Sequence, residues 1–190
     1  MALARSLPRR LTPALLAALV LALGAAPAAS AGRGCVSTRA TPDETSTAQL
    51  TESTLCLLNA QRARAGLRAL RLNEQLSEAA LRHATDMERR HYFSHTSRNG
   101  STFVQRIRRT GYFRRVSSWF VGENLAWGAG RNRSTPRGIV AAWMDSPPHK
   151  ANILQSRFRE IGIGVTEGAP RRNVFGLPAA TYATTFGARS

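Results

Sequence analysis

Ala142-Trp143-Met144-Asp145-Ser146-Pro147-Pro148-His149-Lys150-Ala151-Asn152-Ile153-Leu154 is the stretch on which the reading of this chain turns. It closes one kind of structure and opens another. Thr135 is placed to cap a helix, with Pro136 at the first helical position and Ile139, Val140, Trp143 and Met144 as its apolar stripe. Pro147-Pro148 must end that helix, because a proline disfavours the α region for the residue before it. Beyond it, Ile161, Ile163 and Val165 alternate with Gly162 and Gly164 and read as a strand, and Thr181 to Phe186 reads as the last one.

Working toward the N-terminus, Asn73 caps a helix expected over Glu74 to Arg90, with Leu76, Ala80, His83 and Met87 on its apolar face. His83 therefore reads as a core histidine. An earlier helix is expected from Thr51 to Ala65, with Leu55, Leu58 and Arg62 on one stripe and Gly66 as its stop. A short helix near Thr102 to Arg109 and an extended segment over Val121 to Trp127 complete the pass. Helices come early and strands mostly late. That order predicts an α+β fold, with helices packed on an antiparallel sheet.

The first 31 residues read as a secretory signal peptide. Arg5, Arg9 and Arg10 precede an apolar run from Ala14 to Ala26, and Ala29-Ser30-Ala31 fits the A-x-A cleavage rule. The run is too short and too rich in small residues for a comfortable membrane span. Residues 32–50 lack periodicity and are expected to form a flexible arm, leaving 51–190 as one domain. The expected location is secreted and extracellular, with no stable transmembrane anchor.

Charge and cysteine content extend that expectation. The chain carries +16, and the signal holds three arginines and no acid, so +13 remains on 159 residues. Such a charge favours anionic wall polymers or acidic lipid headgroups. Export, and the lack of a zinc-finger, helix-turn-helix or aromatic-basic strand motif, disfavour nucleic acid. Lys150 is the only lysine, so the basicity is almost all arginine, a pattern that genome composition also produces. Cys35 and Cys56 are expected to form a disulfide in an oxidising compartment, contributing about 3 kcal/mol by chain entropy. Two free thiols are the alternative.

Three groups could carry chemistry: His95, Gly122-Glu123-Asn124, and Pro148 to Asn152. Each falls at the end of an element, where functional groups are often displayed. Imidazole and carboxylate together can hold a divalent ion or move protons, but spacing alone does not make them converge. His91 and His95 have the spacing of the H-E-x-x-H zinc pair, yet Tyr92 stands where the general-base glutamate is needed. No G-x-S-x-G elbow, phosphate loop or C-x-x-C is present.

Taken together, Leu58 to Leu67, Tyr92-Phe93-Ser94-His95, Gly122-Glu123-Asn124-Leu125, Ala142 to Leu154 and Phe158 to Gly164 resemble the CAP superfamily. That superfamily comprises the cysteine-rich secretory, antigen 5 and pathogenesis-related 1 proteins, and the match is to its bacterial, secreted SCP-like branch. The resemblance runs from about Ser53 to Gly187. It implies a three-layer α-β-α sandwich with a central cleft lined by a His, Glu, Glu, His tetrad able to bind zinc or a similar ion. Carried over, His95, Glu123 and His149 are three of the four. The fourth position falls on Ser146. Asp145 is one residue away, and a helix turns about 100° per residue, so it should aim elsewhere. Two histidines and one carboxylate would still suffice for a metal with an open water position.

The leading functional expectation is a non-catalytic binding module that engages a lipid, a sterol-like molecule or an anionic wall polymer through the His/Glu cleft. The alternative is a metal-dependent hydrolase or peptidase, in which an ion on His95 and His149 activates water with Glu123 as base or third ligand. The same residues also have structural readings. Glu123 and Asn124 can bond backbone in the cleft wall, Asn59 and Arg62 can tie the first helix to nearby loops, Trp143 can anchor the core, and Asn152 can cap a turn. The ligand, the ion and the oligomeric state are left open by sequence.

Overall fold

The computed structural model describes residues 34–174 and 176–190, and the expected signal peptide at 1–31 lies outside them. The elements run α1 (Thr47–Arg64), β1 (Arg71–Leu72), α2 (Glu74–Arg89), α3 (Phe103–Arg109), β2 (Trp119–Ala129), α4 (Pro136–Asp145), α5 (Pro147–Ile153), β3 (Glu160–Glu167) and β4 (Ala179–Arg189). The strands form one sheet in the order β1-β3-β4-β2. β4 pairs antiparallel with both neighbours, and the two residues of β1 add parallel to β3.

β3 shows how the layers arise. Its side chains point alternately to the two faces of the sheet. Ile161, Ile163 and Val165 join Tyr182 and Phe186 of β4 on one face, packed against Leu50 and Leu58 of α1, Ile139, Val140 and Trp143 of α4, and Ile153 of α5. On the other face Gly162 and Gly164 present no side chain, so the backbone of α2 lies directly on the sheet. Ala80, Ala84 and Met87 of α2 then pack with Leu125 of β2 and Ala183 of β4. Leu76 and Ala79 pack with Ile107 and Tyr112. This is the three-layer α-β-α sandwich expected.

A Cβ at Gly164 would stand 2.3 Å from the Leu81 nitrogen and 2.4 Å from its Cα, and one at Gly162 would stand 2.0 Å from the Leu76 carbonyl carbon. Backbone cannot swing aside as a side chain can. Gly164→Ala is therefore expected to cost about 2–3 kcal/mol, read by urea denaturation. An unchanged midpoint would mean that α2 lifts off the sheet freely.

Asn73 and Thr135 cap their helices as expected, and Ser46 and Thr102, not expected as caps, likewise each accept a backbone N–H at the start of theirs. Two expectations need correction. Pro147-Pro148 does not only end α4; it begins α5, because a first helical turn has no use for the missing N–H groups. The supposed flexible arm at 32–50 is, over its described part, bound to the domain, and α1 already starts at Thr47. The Ser53 hydroxyl donates to the Val36 carbonyl at 2.8 Å, the Arg137 N–H donates to the Thr38 carbonyl at 2.8 Å, and Cys35 is bridged to Cys56.

Two polar side chains close the α1 side. Asn59 exchanges both its amide groups with the backbone of Leu70, at 2.8 and 3.1 Å. The fully buried Arg62 donates to the carbonyls of Arg68, Ile153, Gln155 and Phe158, at 2.7 to 3.3 Å. One guanidinium thus holds the turn after α1 and the segment between α5 and β3.

Candidate functional site

β2 is an edge strand, and side chains from both faces of the sheet meet there. Glu123 pairs in register with Thr185, whose hydroxyl donates to Leu76 of α2, so Glu123 points to the α2 side. Asn124 points the opposite way, and its amide donates to the His149 carbonyl at 3.0 Å. Asn152 donates to the Glu123 carbonyl at 3.1 Å and to Asn124 Oδ1 at 2.8 Å. The expected capping asparagine is in fact a clamp that laces α5 to β2.

Glu123 is the hub. Its side chain is only 1% exposed. His95 Nδ1 bonds Oε1 at 2.8 Å, and Arg106 Nη2 of α3 donates to Oε2 at 2.6 Å. A carboxylate only accepts, so His95 Nδ1 carries a hydrogen and Nε2 faces outward. The His95 side chain is 55% exposed, which leaves that nitrogen accessible. Arg106 also donates to the Ser97 hydroxyl at 3.1 Å and the Ser101 carbonyl at 2.9 Å.

His83 supports the loop that carries His95. Its Nε2–H donates to the Ser94 carbonyl at 2.9 Å, and its Nδ1 faces the Ser97 hydroxyl at 3.4 Å. It is 1% exposed, the core histidine expected from its helical spacing. Burial, and then the charge of Arg106, lower its pKa. His149 is lowered in the same direction by burial and by His95. A folded pKa below the unfolded 6.5 means that the folded state binds fewer protons. These two groups therefore leave stability intact above about pH 6.5 and erode it as the pH falls toward their folded values. Urea denaturation at falling pH is expected to show a smaller loss in His83→Gln than in the wild type.

Sequence reasoning missed Arg106. Its signal was available, since Phe103, Arg106, Ile107 and Thr110 share the three-and-four spacing of one helix face. A charge on an apolar stripe asks for a buried partner. Ser146, at the fourth position of the count, has its hydroxyl 2.8 Å from His149 Nδ1, while Asp145 is exposed and takes no part in this network. Trp143 is buried in the core and donates its indole N–H to the Leu125 carbonyl at 3.0 Å.

The description "CAP: Cysteine-rich secretory protein family" matches residues 55–183, well over half of the chain. The chain belongs to the CAP family. It is 36% identical over 111 residues to the uncharacterized protein YkwD of Bacillus subtilis (strain 168), covering 58% of this chain and 40% of that one. It is 31% identical over 111 residues to the uncharacterized membrane protein YlbC of the same organism, covering 58% of this chain and 30% of the other. The chain thus spans less than half the length of the curated relatives it matches. Among solved structures it is similar to an extracellular protein containing a SCP domain from Bacillus anthracis str. Ames, with TM-score 0.57 and 26% identity over 77% of this chain and 43% of that one. An outer surface protein from Borrelia burgdorferi shares the fold, with TM-score 0.61 and 22% identity over 77% and 97% of the two chains.

The zinc-type ion that the CAP resemblance implies is tested by the donor set. Glu123 has no free oxygen, since His95 and Arg106 take one each. The buried guanidinium would also repel a divalent cation at that carboxylate. His149 directs Nδ1 at Ser146. Among the described residues no three His, Cys, Asp or Glu side chains form a group that could hold a metal ion. As arranged, Glu123 is tied to Arg106 and His95 and does not complete a three-ligand site with the two histidines. Nor does any helix among the described residues have the length and apolarity to cross a membrane.

Proposed function

We propose that this CAP domain acts outside the cell as a binding module, and that its edge-strand cleft takes an anionic group of an extracellular polymer. The observation that carries this reading is the engagement of both Glu123 oxygens at 1% exposure. A carboxylate that accepts from His95 on one oxygen and from Arg106 on the other, and is closed off from solvent, is placed as a strut rather than as a base facing water. What the cleft offers outward is the imidazole edge of His95, with His149 close enough for their charges to interact.

The surface supports an anionic ligand. The part after the expected signal carries +13, and two of its surface grooves hold more arginines than acids, with Arg68, Arg71, Arg159 and Arg189 beside Glu160 in one and Arg82, Arg89 and Arg90 beside Asp86 in the other. Such walls suit a charged polymer better than a sterol. The Cys35–Cys56 bridge suits an oxidising compartment.

Co-sedimentation with insoluble bacterial wall, before and after chemical removal of its phosphate polymers, tests this. Retention is expected on the untreated wall, falling at high salt and in His95→Ala/His149→Ala. Salt-independent retention, or capture only by sterol-containing vesicles, would overturn the reading. Wall turnover that disappears in Glu123→Gln would establish the hydrolase instead.

A further inference from the structure

A second surface feature lies beside that cleft, on elements the function above does not use. The turn after α2 and the loop between β3 and β4 enclose a groove of about 450 Å³, lined by His91, Tyr92, Phe93, Pro170, Arg171 and Arg172 together with Asn173. No carboxylate lines it. Its size is that of a small-molecule site.

Its chemistry is of two kinds. Phe93 is 41% exposed, one of few large apolar side chains so placed, and it has polar neighbours on the facing wall. Arg171 and Arg172 are exposed, and among the described residues neither has an ion-pair or side-chain hydrogen-bond partner. A third guanidinium, that of Arg98, lies 5.4 Å from the centre of the Tyr92 ring.

The wall that carries Phe93 is held on both sides. Tyr92 donates its hydroxyl to Asp86, the Ser94 carbonyl accepts from His83, and His95 is bonded to Glu123. Just before it, His91 adopts the left-handed conformation, φ 53°, where the Tyr92 N–H turns back to the Met87 carbonyl and stops α2. Phe93 is thus an aromatic ring displayed at a defined place, not the end of a loose loop.

A flat apolar face beside unpaired guanidiniums suits a ligand that has both an apolar ring face and an anionic group. A sugar ring offers a face of C–H groups to an aromatic side chain, and a carboxylate on that sugar offers two oxygens to an arginine fork. A neutral glycan leaves the arginines unused, and a polyphosphate leaves Phe93 unused. We propose that this groove binds an acidic sugar residue, stacked on Phe93 with its carboxylate at Arg171 and Arg172. The groove begins two residues from His95, so one glycan chain can reach from it to the cleft. The inference rests on the reading of this protein as an extracellular binding module.

Calorimetry with a uronic-acid tetrasaccharide, a neutral tetrasaccharide and inorganic polyphosphate tests it. The acidic tetrasaccharide is expected to bind the wild type measurably more tightly than the neutral one. Phe93→Ala is expected to weaken the acidic tetrasaccharide about tenfold while leaving polyphosphate unchanged. Arg171→Gln/Arg172→Gln is expected to weaken both by about tenfold or more. No binding of the acidic tetrasaccharide, or equal binding by Phe93→Ala, overturns the groove. Wall retention lost only in the histidine variant would keep the cleft reading and remove this one.

Discussion

Arg106→Met is expected to destabilise the protein by about 3–5 kcal/mol, the range for breaking a buried ion pair by removing one partner. The substitution keeps most of the aliphatic volume and deletes only the guanidinium. It leaves Glu123 Oε2 without a donor at 1% exposure, and takes the donor from the Ser101 carbonyl and the Ser97 hydroxyl. That oxygen must then stay buried without a donor or pull water inward, and either costs free energy. Arg106→Met/Glu123→Leu is the control. Replacing both charges with apolar groups of similar size is often close to neutral, so the double variant should recover most of the loss. Urea denaturation measures both. Equal destabilisation in the single and double variants would show that Arg106 acts by packing, not by charge.

Arg62→Leu is expected to cost at least about 4 kcal/mol, for a different reason. Among the described residues Arg62 has no acidic partner; it is a fully buried cation held on four backbone carbonyls. Removing it leaves those acceptors without their donor, and each buried unsatisfied group costs about 1–3 kcal/mol, less than additively where the backbone can relax. Arg62→Lys should fall between, since an ammonium can reach some of the carbonyls but lacks the planar fork that spans Arg68 on one side and Phe158 on the other. Amide hydrogen exchange should rise first in residues 65–70 and 154–159. Protection there equal to the wild type would sink the idea that this side chain joins the two segments.

Both predictions concern arginine, and the sequence treats its arginines alike. In a chain with 27 basic side chains, Arg62 and Arg106 do not stand out by composition. Arg62 could be found because it continues the stripe of Leu55 and Leu58, and because the resemblance drew attention to Asn59 and Arg62 together. Arg106 shares a helix face with Ile107, but its helix is one of the shortest here, and a stripe of so few residues is easily passed over. The three cleft residues were legible as types: His95, Glu123 and His149. Their bonding was not. The partner of Glu123 comes from α3, that of His149 from the end of α4, and the clamp from Asn152, and none of these distances follows from spacing along the chain.

Local rules worked where a single residue controls a single dihedral or donor. Asn73 and Thr135 announced their helices, and the Ile161, Ile163, Val165 alternation announced the strand. The prolines at 147 and 148 show the limit of such a rule, because the feature that stops one helix also suits the start of the next.

By itself, then, the sequence determined the α+β class and the main helices and strands, since periodicity and caps are properties of neighbouring residues; the three-layer sandwich and the site residue types followed from the family resemblance. Only the tertiary structure decided which side chains bond one another. Whether Glu123 is a free base, a metal ligand or a strut depends on which charge lies within about 3 Å of it, because hydrogen bonds and ion pairs weaken steeply with separation in a buried site. The fold brings Arg106 there, so that Glu123 bonds both Arg106 and His95.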